Sequence, residues 1–152
     1  MKIAIGSDHA GFQLKAFLIS YLRGLKCDVV DEGTYDESPA DYADFAAKVA
    51  YEVVEKKAER GIVICGSGVG ASVAANKVKG IRAAICHDTY SAHQGVEHDN
   101  MNVLVLGSRI IGTELAKAIT NAFLGARFSH EERHVRRLAK IEALEAHFGV
   151  KP

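Results

Sequence analysis

No excess of charge marks this chain: lysine plus arginine number 19, and aspartate plus glutamate also number 19. That parity argues against a whole-surface electrostatic grip on nucleic acid or an anionic membrane, while leaving room for a local basic patch. No apolar run approaches the roughly 18 residues that a membrane-spanning helix needs. Met1-Lys2 leads straight into a strand-like run, so no secretory leader is expected. Cysteine is scarce. Cys27, Cys65 and Cys86 form an odd, widely spaced set with no Cys-x-x-Cys. Neither a disulfide framework nor a zinc site fits them, and the expected compartment is reducing cytoplasm. Internal repeats, low-complexity tracts and interdomain linkers are also missing. What remains is 48% hydrophobic and 25% charged over 152 residues, the balance of one soluble globular domain, 1–152, able to bury a core.

Short apolar runs alternate with helical stretches. Residues 2–6 (KIAIG) read as a strand ending in glycine. Leu14, Phe17, Leu18, Tyr21, Leu22 and Leu25 then recur at steps of three and four, the stripe of an amphipathic helix. Val29-Val30 marks a second strand. Residues 33–41, with Pro39, form a turn-rich loop before a helix predicted over about 42–57. The uninterrupted run 62–65 suits a parallel strand buried on both faces, and 81–86 and 103–106 read as the fourth and fifth strands. Helices are expected near 69–78 and 113–124. This β-α alternation predicts a doubly wound, three-layer α/β/α domain of Rossmann-like type around a five-stranded parallel sheet. A last helix over about 131–148, with Val135, Leu138, Ile141, Leu144 and Phe148 on one side, has no strand after it. Such a leftover helix often packs on another subunit.

In an open parallel sheet, ligands bind beyond the carboxyl ends of the strands. Three strand-end segments and one that precedes the fifth strand carry polar groups: Gly6-Ser7-Asp8-His9-Ala10-Gly11, Cys65-Gly66-Ser67-Gly68-Val69-Gly70, Gly107-Ser108-Arg109 and Glu97-His98-Asp99-Asn100. In CGSGVG, alternating glycines uncover backbone N–H groups at the start of a helix, a cradle for phosphate or a developing oxyanion. No Gly-Lys-Ser/Thr follows, so this is not a P-loop. Cys65 and Val69 break Gly-x-Ser-x-Gly. The loose dinucleotide pattern Gly-x-Gly-x-x-Ala fits residues 66–71 but follows the third strand rather than the first. A strand-end cysteine is ordinarily apolar filler, which describes Cys27 and Cys86. Cys65 is set apart because it abuts the glycine loop, where a thiolate is favoured. Asp8 could simply cap the helix near Gly11. Arg133 and Arg137, four residues apart, can converge on one anion.

Together these motifs resemble the type B ribose-5-phosphate isomerase family, which includes galactose-6-phosphate and allose-6-phosphate isomerases. The resemblance runs through GSDHAGF, DY at 41–42, the glycine segment, AANK at 74–77, GIRAA at 80–84, EH at 97–98, NVLVLGSR at 102–109 and ERHVRR at 132–137. It implies a five-stranded parallel sheet, a homodimer or dimer of dimers with shared sites, a sugar-phosphate substrate, and neither cofactor nor metal. Cys65 would move a proton between C1 and C2 and the amides of Gly66, Gly68 and Gly70 would hold the enediolate oxygen. Ser67, where threonine is common, would relay a proton. His98 would open the sugar ring, and Asp8, His9 and Tyr42 would bind the substrate. His9, Arg109, Arg133, His134 and Arg137 would take the phosphate. Where many members read Asn-Asp after the histidine, this chain reads Asp99-Asn100, so a substrate contact at Asp99 would be made by an acceptor. The reaction implied is ribose 5-phosphate to ribulose 5-phosphate. A hexose or tetrose phosphate is the enzymatic alternative, and a noncatalytic regulatory module the other, which a base such as Cys65 argues against.

Overall fold

The computed structural model describes residues 1–146. Its elements run β1 (Lys2–Ser7), α1 (Phe12–Gly24), β2 (Asp28–Asp31), α2 (Tyr42–Val54), β3 (Arg60–Cys65), α3 (Val69–Ala75), β4 (Ala83–Ile85), α4 (Thr89–Asp99), β5 (Val103–Gly107), α5 (Thr113–Gly125) and α6 (Glu132–Ala146). All strand pairs are parallel, and the strand order is β2-β1-β3-β5-β4. The buried apolar runs of β1, β3 and β5 occupy the three central strands, as two-sided burial requires, whereas β4, within the run at 81–86, lies at the edge and is only half-buried. Side chains alternate across the sheet. Ile3, Ile5, Ile62, Ile64, Leu104 and Leu106 face one way and pack with residues of α1, α4 and α5. Ala4, Val63, Cys65, Val103 and Val105 face the other way, into a second core with α2 and α3. The result is the three-layer α/β/α fold. The chain leaves β1 toward β2 and then crosses back to β3, so a crevice opens between the carboxyl ends of β1 and β3.

Two elements depart from the pattern in the sequence. The run at 81–86 forms only a three-residue strand. A helix, α4, fills the stretch before β5. Its sequence TYSAHQGVEHD buries only Ala92 and Val96 and carries Gly95 at mid-length, so it shows almost no apolar period. The last helix begins one residue late and is seen through Ala146; Phe148 lies outside the described residues.

Short β4 is completed by side chains. Asn76 Oδ1 accepts from Ala83 N–H at 2.9 Å while its Nδ2 donates to Ala83 O at 2.8 Å. Asn102 Oδ1 accepts from Arg82 N–H at 2.8 Å, and its Nδ2 donates to Gly80 O at 2.8 Å. An edge strand otherwise presents unpaired donors and acceptors. The AANK and GIRAA blocks therefore contribute architecture.

At the other edge, Lys15 of α1 is 1% exposed and its Nζ donates to Asp31 Oδ1 at 2.5 Å. Asp31 also accepts from Gly33 N–H at 3.0 Å, tying the start of the 33–41 loop to the same carboxylate. A buried ammonium tolerates its position only while paired. Asp31→Ala should therefore cost about 3–5 kcal/mol, whereas Lys15→Met, which removes the charge, keeps the apolar stem and leaves a carboxylate that is 28% exposed to water, should cost clearly less. Urea unfolding midpoints of the two variants check this; equal losses would show that the lost pairing itself, not a stranded buried ammonium, sets the cost.

Candidate active site

Beyond the last ladder residues, the loops at the carboxyl edge continue the sheet's hydrogen bonding. Asp8 N–H donates to Ile64 O at 3.3 Å, Ser108 N–H to Cys65 O at 2.8 Å, and Arg109 N–H to Gly66 O at 3.0 Å. Buried backbone groups must find partners, and these pairings satisfy several of them. They also bring the segments after β1, β3 and β5 side by side. Between them lies a cleft of about 350 Å³ lined by Asp8, His9, Tyr42, Cys65, Ser67 and Arg109, with Gly66, Gly70, Ala10 and Ile110 completing it. A larger groove of about 410 Å³ beside β4 is walled by Ile81, Ala84, Met101, Ile141 and Leu144 and holds no nucleophile.

Cys65 is the last residue of β3 and is 4% exposed, on the α2/α3 side of the sheet. Gly68 N–H donates to its Sγ at 3.2 Å. That donor is delivered by the backbone of Gly68 at φ +86°, a left-handed conformation that favours glycine. The following helix, α3, has only seven residues, so its dipole is modest and the loop amide is the nearer source of positive potential. Ser67 is exposed, and its Oγ accepts from Val69 N–H at 3.3 Å. At Cys86, the other buried thiol, burial pushes the pKa up to about 11, out of range for a base at neutral pH.

The remaining walls come from distant elements. Asp8 Oδ1 accepts from Gly11 N–H at 3.0 Å, so it does cap the turn into α1 while also lining the cleft. Ala40 N–H donates to His9 Nδ1 at 3.2 Å, which anchors the 33–41 loop against the imidazole. Tyr42, first residue of α2, lays its ring on Gly70: a Cβ there would fall 2.5 Å from the ring. Arg109 extends its guanidinium over Gly66.

His98, Asp99, Arg133, His134 and Arg137 are not in this cleft. Helix α4 starts beyond β4 and runs back, so His98 near its end lies at the amino edge of the sheet. Arg82, just before β4, donates from Nε to Asn100 O at 2.7 Å. There His98 stacks on His134 of α6, with ring centroids 4.0 Å apart. Gln94 Nε2 lies 2.8 Å from His98 Nδ1, and Ser129 Oγ lies 2.6 Å from His134 Nδ1. Burial, with the charges of His98 and Arg133 nearby, holds the His134 imidazole below its ordinary pKa. His134 is 1% exposed, whereas Arg133 and Arg137 are exposed. Asp99 lines the apolar groove. The chain thus carries two separate clusters, one with the nucleophile, the glycine cradle, His9 and Arg109, the other with the stacked His98 and His134 beside Arg133 and Arg137. Sequence reading overlooked Gln94 and Ser129. The first is detectable as an i−4 neighbour of His98 once α4 is recognised. The second has no such signal: it lies three residues before α6, and its Oγ accepts from Glu131 N–H at 3.2 Å. Among the described residues no cluster of three or more His, Cys, Asp or Glu side chains could hold a metal ion.

The family model described as Ribose/Galactose Isomerase matches residues 3–141. Ribose-5-phosphate isomerase B of Escherichia coli is 45% identical over 144 residues, 95% of this chain and 96% of that protein. D-erythrulose-4-phosphate isomerase of Pectobacterium atrosepticum is 46% identical over 131 residues, covering 84% and 85% of the two chains. Among solved structures, ribose-5-phosphate isomerase B of Clostridium thermocellum superposes with a TM-score of 0.96 at 45% identity, covering 98% of this chain and 100% of that one.

The Tyr42–Gly70 contact separates stability from binding. Gly70 lies within α3, where alanine is favoured over glycine by roughly 0.5–1 kcal/mol. Gly70→Ala should therefore leave thermal stability equal or slightly higher, because the Tyr42 ring can swing aside. KM should rise about fivefold, the loss expected for one misplaced hydroxyl contact. Steady-state kinetics beside a melting curve test this; unchanged KM would remove Tyr42 from the substrate site.

Proposed function

Since the chain belongs to the ribose/galactose isomerase family, we propose that it interconverts D-ribose 5-phosphate and D-ribulose 5-phosphate through an enediolate, as one cytoplasmic domain of the pentose phosphate pathway. The observation that carries this reading is Cys65 at the floor of a polar cleft, under a loop of glycine amides and beside Asp8, His9 and Arg109. Isomerisation requires a base beside the carbonyl and donors for the oxyanion it creates. A positioned base contributes about 10²–10⁴-fold, and one oxyanion donor roughly 2.7–4 kcal/mol.

Cys65 takes the C2 proton and returns it to C1. The Gly66, Gly68 and Gly70 amides stabilise the enediolate oxygen, and Ser67 shuttles the proton between the two oxygens. Asp8 and Tyr42 hold hydroxyls. His9 and Arg109 bind the phosphate at the mouth. Ring opening falls to His98, and further charge compensation to Arg133, His134 and Arg137, with Asp99 alongside. These residues lie at the far edge of their own sheet, so they serve the cleft of a second copy. The enzyme is a homodimer or dimer of dimers in which each site is shared, and α6 lies at the interface. Val135, Ile141 and Leu144 of α6 are 45%, 40% and 75% exposed in the single chain, which supports an apolar stripe awaiting a partner. A tetrose phosphate is the second substrate reading, favoured by the likeness to the erythrulose-4-phosphate enzyme.

Incubating the protein with aldose phosphates of four to six carbons in deuterium oxide should give fastest ketose formation, with solvent label, from ribose 5-phosphate; a faster tetrose reassigns the substrate. Cys65→Ala should lower kcat about 10²–10⁴-fold with substrate affinity nearly kept, while Cys27→Ala turns over normally. Near-normal turnover of Cys65→Ala excludes it as the base.

Site sharing is tested by mixing subunits. Cys65→Ala and Arg137→Ala chains, each nearly inactive, should regain activity when unfolded together and refolded. Random pairing makes about half the dimers mixed, and in each of these one site collects both lesions, leaving roughly a quarter of all sites intact. Activity no higher than the mean of the parents, although mixed dimers form, would place Arg137 in its own chain's site.

A further inference from the structure

In a parallel ladder, a strand residue facing its neighbour donates its N–H to one residue and accepts at its C=O from another two positions on. Val105 of β5 pairs with Ile85 of β4, and Cys86 N–H donates to Val105 O. Continued one step, this register would hand the N–H of Gly107 to the carbonyl of residue 86. Strand β4 stops at Ile85, and the chain turns off into α4, whose N-cap is Asp88. Gly107 N–H donates instead to His87 Nε2, at 2.9 Å. The imidazole takes up a ladder bond where the backbone has left.

Gly107 is the residue that joins the Cys65 loop to the segment carrying Arg109. It stands opposite Cys65 in the β3–β5 register. A Cβ at Gly107 would fall 2.7 Å from Ser67 O, so the Cys65–Ser67 backbone lies directly against it. The next two residues donate to the nucleophile's loop, Ser108 N–H to Cys65 O and Arg109 N–H to Gly66 O. A shift of Gly107 therefore moves the base, the amide cradle and Arg109 together.

We propose that His87 is a positioning residue of this site: by accepting the Gly107 N–H in place of a β4 carbonyl, it sets the register of the Cys65 loop and of Arg109 without touching the substrate. Only an imidazole with an unprotonated Nε2 can do this. The catalytic part of the inference rests on the isomerase reading above; the His87–Gly107 contact does not. Glutamine at 87 carries an amide oxygen the same number of bonds from the backbone as Nε2 and can accept the same N–H, whereas leucine cannot.

Two variants, His87→Leu and His87→Gln, are measured for turnover of the substrate that the wild type converts and for hydrogen exchange of the Gly107 amide. His87→Leu should lose about 10- to 100-fold in kcat/KM, the scale of a small misplacement of catalytic groups. Its Gly107 amide should exchange at least about tenfold faster. His87→Gln should restore both to within about threefold of wild type. Wild-type turnover and protection in His87→Leu overturn the proposal, as does equal loss in both variants, which would mean that the ring's shape matters and not its acceptor. Should His87→Leu fail to fold, His87→Gln decides: protected Gly107 with near-normal turnover upholds the role, and rapid exchange overturns it. The exchange arm needs no substrate, so it stands even if no aldose phosphate is converted and the isomerase reading itself fails.

Discussion

The structure depends on what becomes of backbone hydrogen bonding where the parallel strands end. Strands β1, β3 and β5 stop at nearly the same level, and their last N–H and C=O groups lie at the mouth of a buried sheet. Leaving them unpaired would cost about 1–3 kcal/mol each. The loops pay that cost by carrying the ladder one or two residues further, Asp8 onto Ile64, Ser108 onto Cys65 and Arg109 onto Gly66. The same pairings that satisfy the backbone place a carboxylate, a thiol and a guanidinium around one cleft. Chemistry and backbone satisfaction are here a single arrangement.

Glycine makes that arrangement possible in two distinct ways. At position 68 it supplies a left-handed backbone, which points an N–H at the Cys65 sulfur. At position 70 it supplies absence of bulk, and the Tyr42 ring fills the space. The spacing of CGSGVG is thus a geometric demand from both sides of the loop.

The division of polar groups between the two sheet edges bears on assembly. His98 and His134 stack at the amino edge, held by Gln94 and Ser129, while Cys65 lies at the carboxyl edge. Each cluster is built by local contacts of its own. Shared sites would follow from this layout without any rearrangement of either half, a situation in which two-fold symmetry supplies both sites at once.

Periodicity and turn chemistry were enough to read five parallel strands, the order of most helices and the strand-end segments that line the cleft, while Tyr42 came only from the family resemblance. Burial on both faces writes itself as uninterrupted apolar runs, and the strand-to-loop junctions there are marked by a glycine within two residues of Asp8, Cys65 and Arg109. Helix α4 stayed hidden because only Ala92 and Val96 face the core, which leaves too little apolar period to detect. The roles of Asn76 and His87 were equally hidden. Both act on backbone groups of β4 and β5 exposed by the shortness of a strand, and strand length is set by tertiary competition at an edge rather than by local pattern. Residue type and order thus determined which chemistry the chain carries. Which of those residues meet within one chain, and that His98 does not meet Cys65, was decided only when α4 folded back across the sheet and carried its end to the opposite edge.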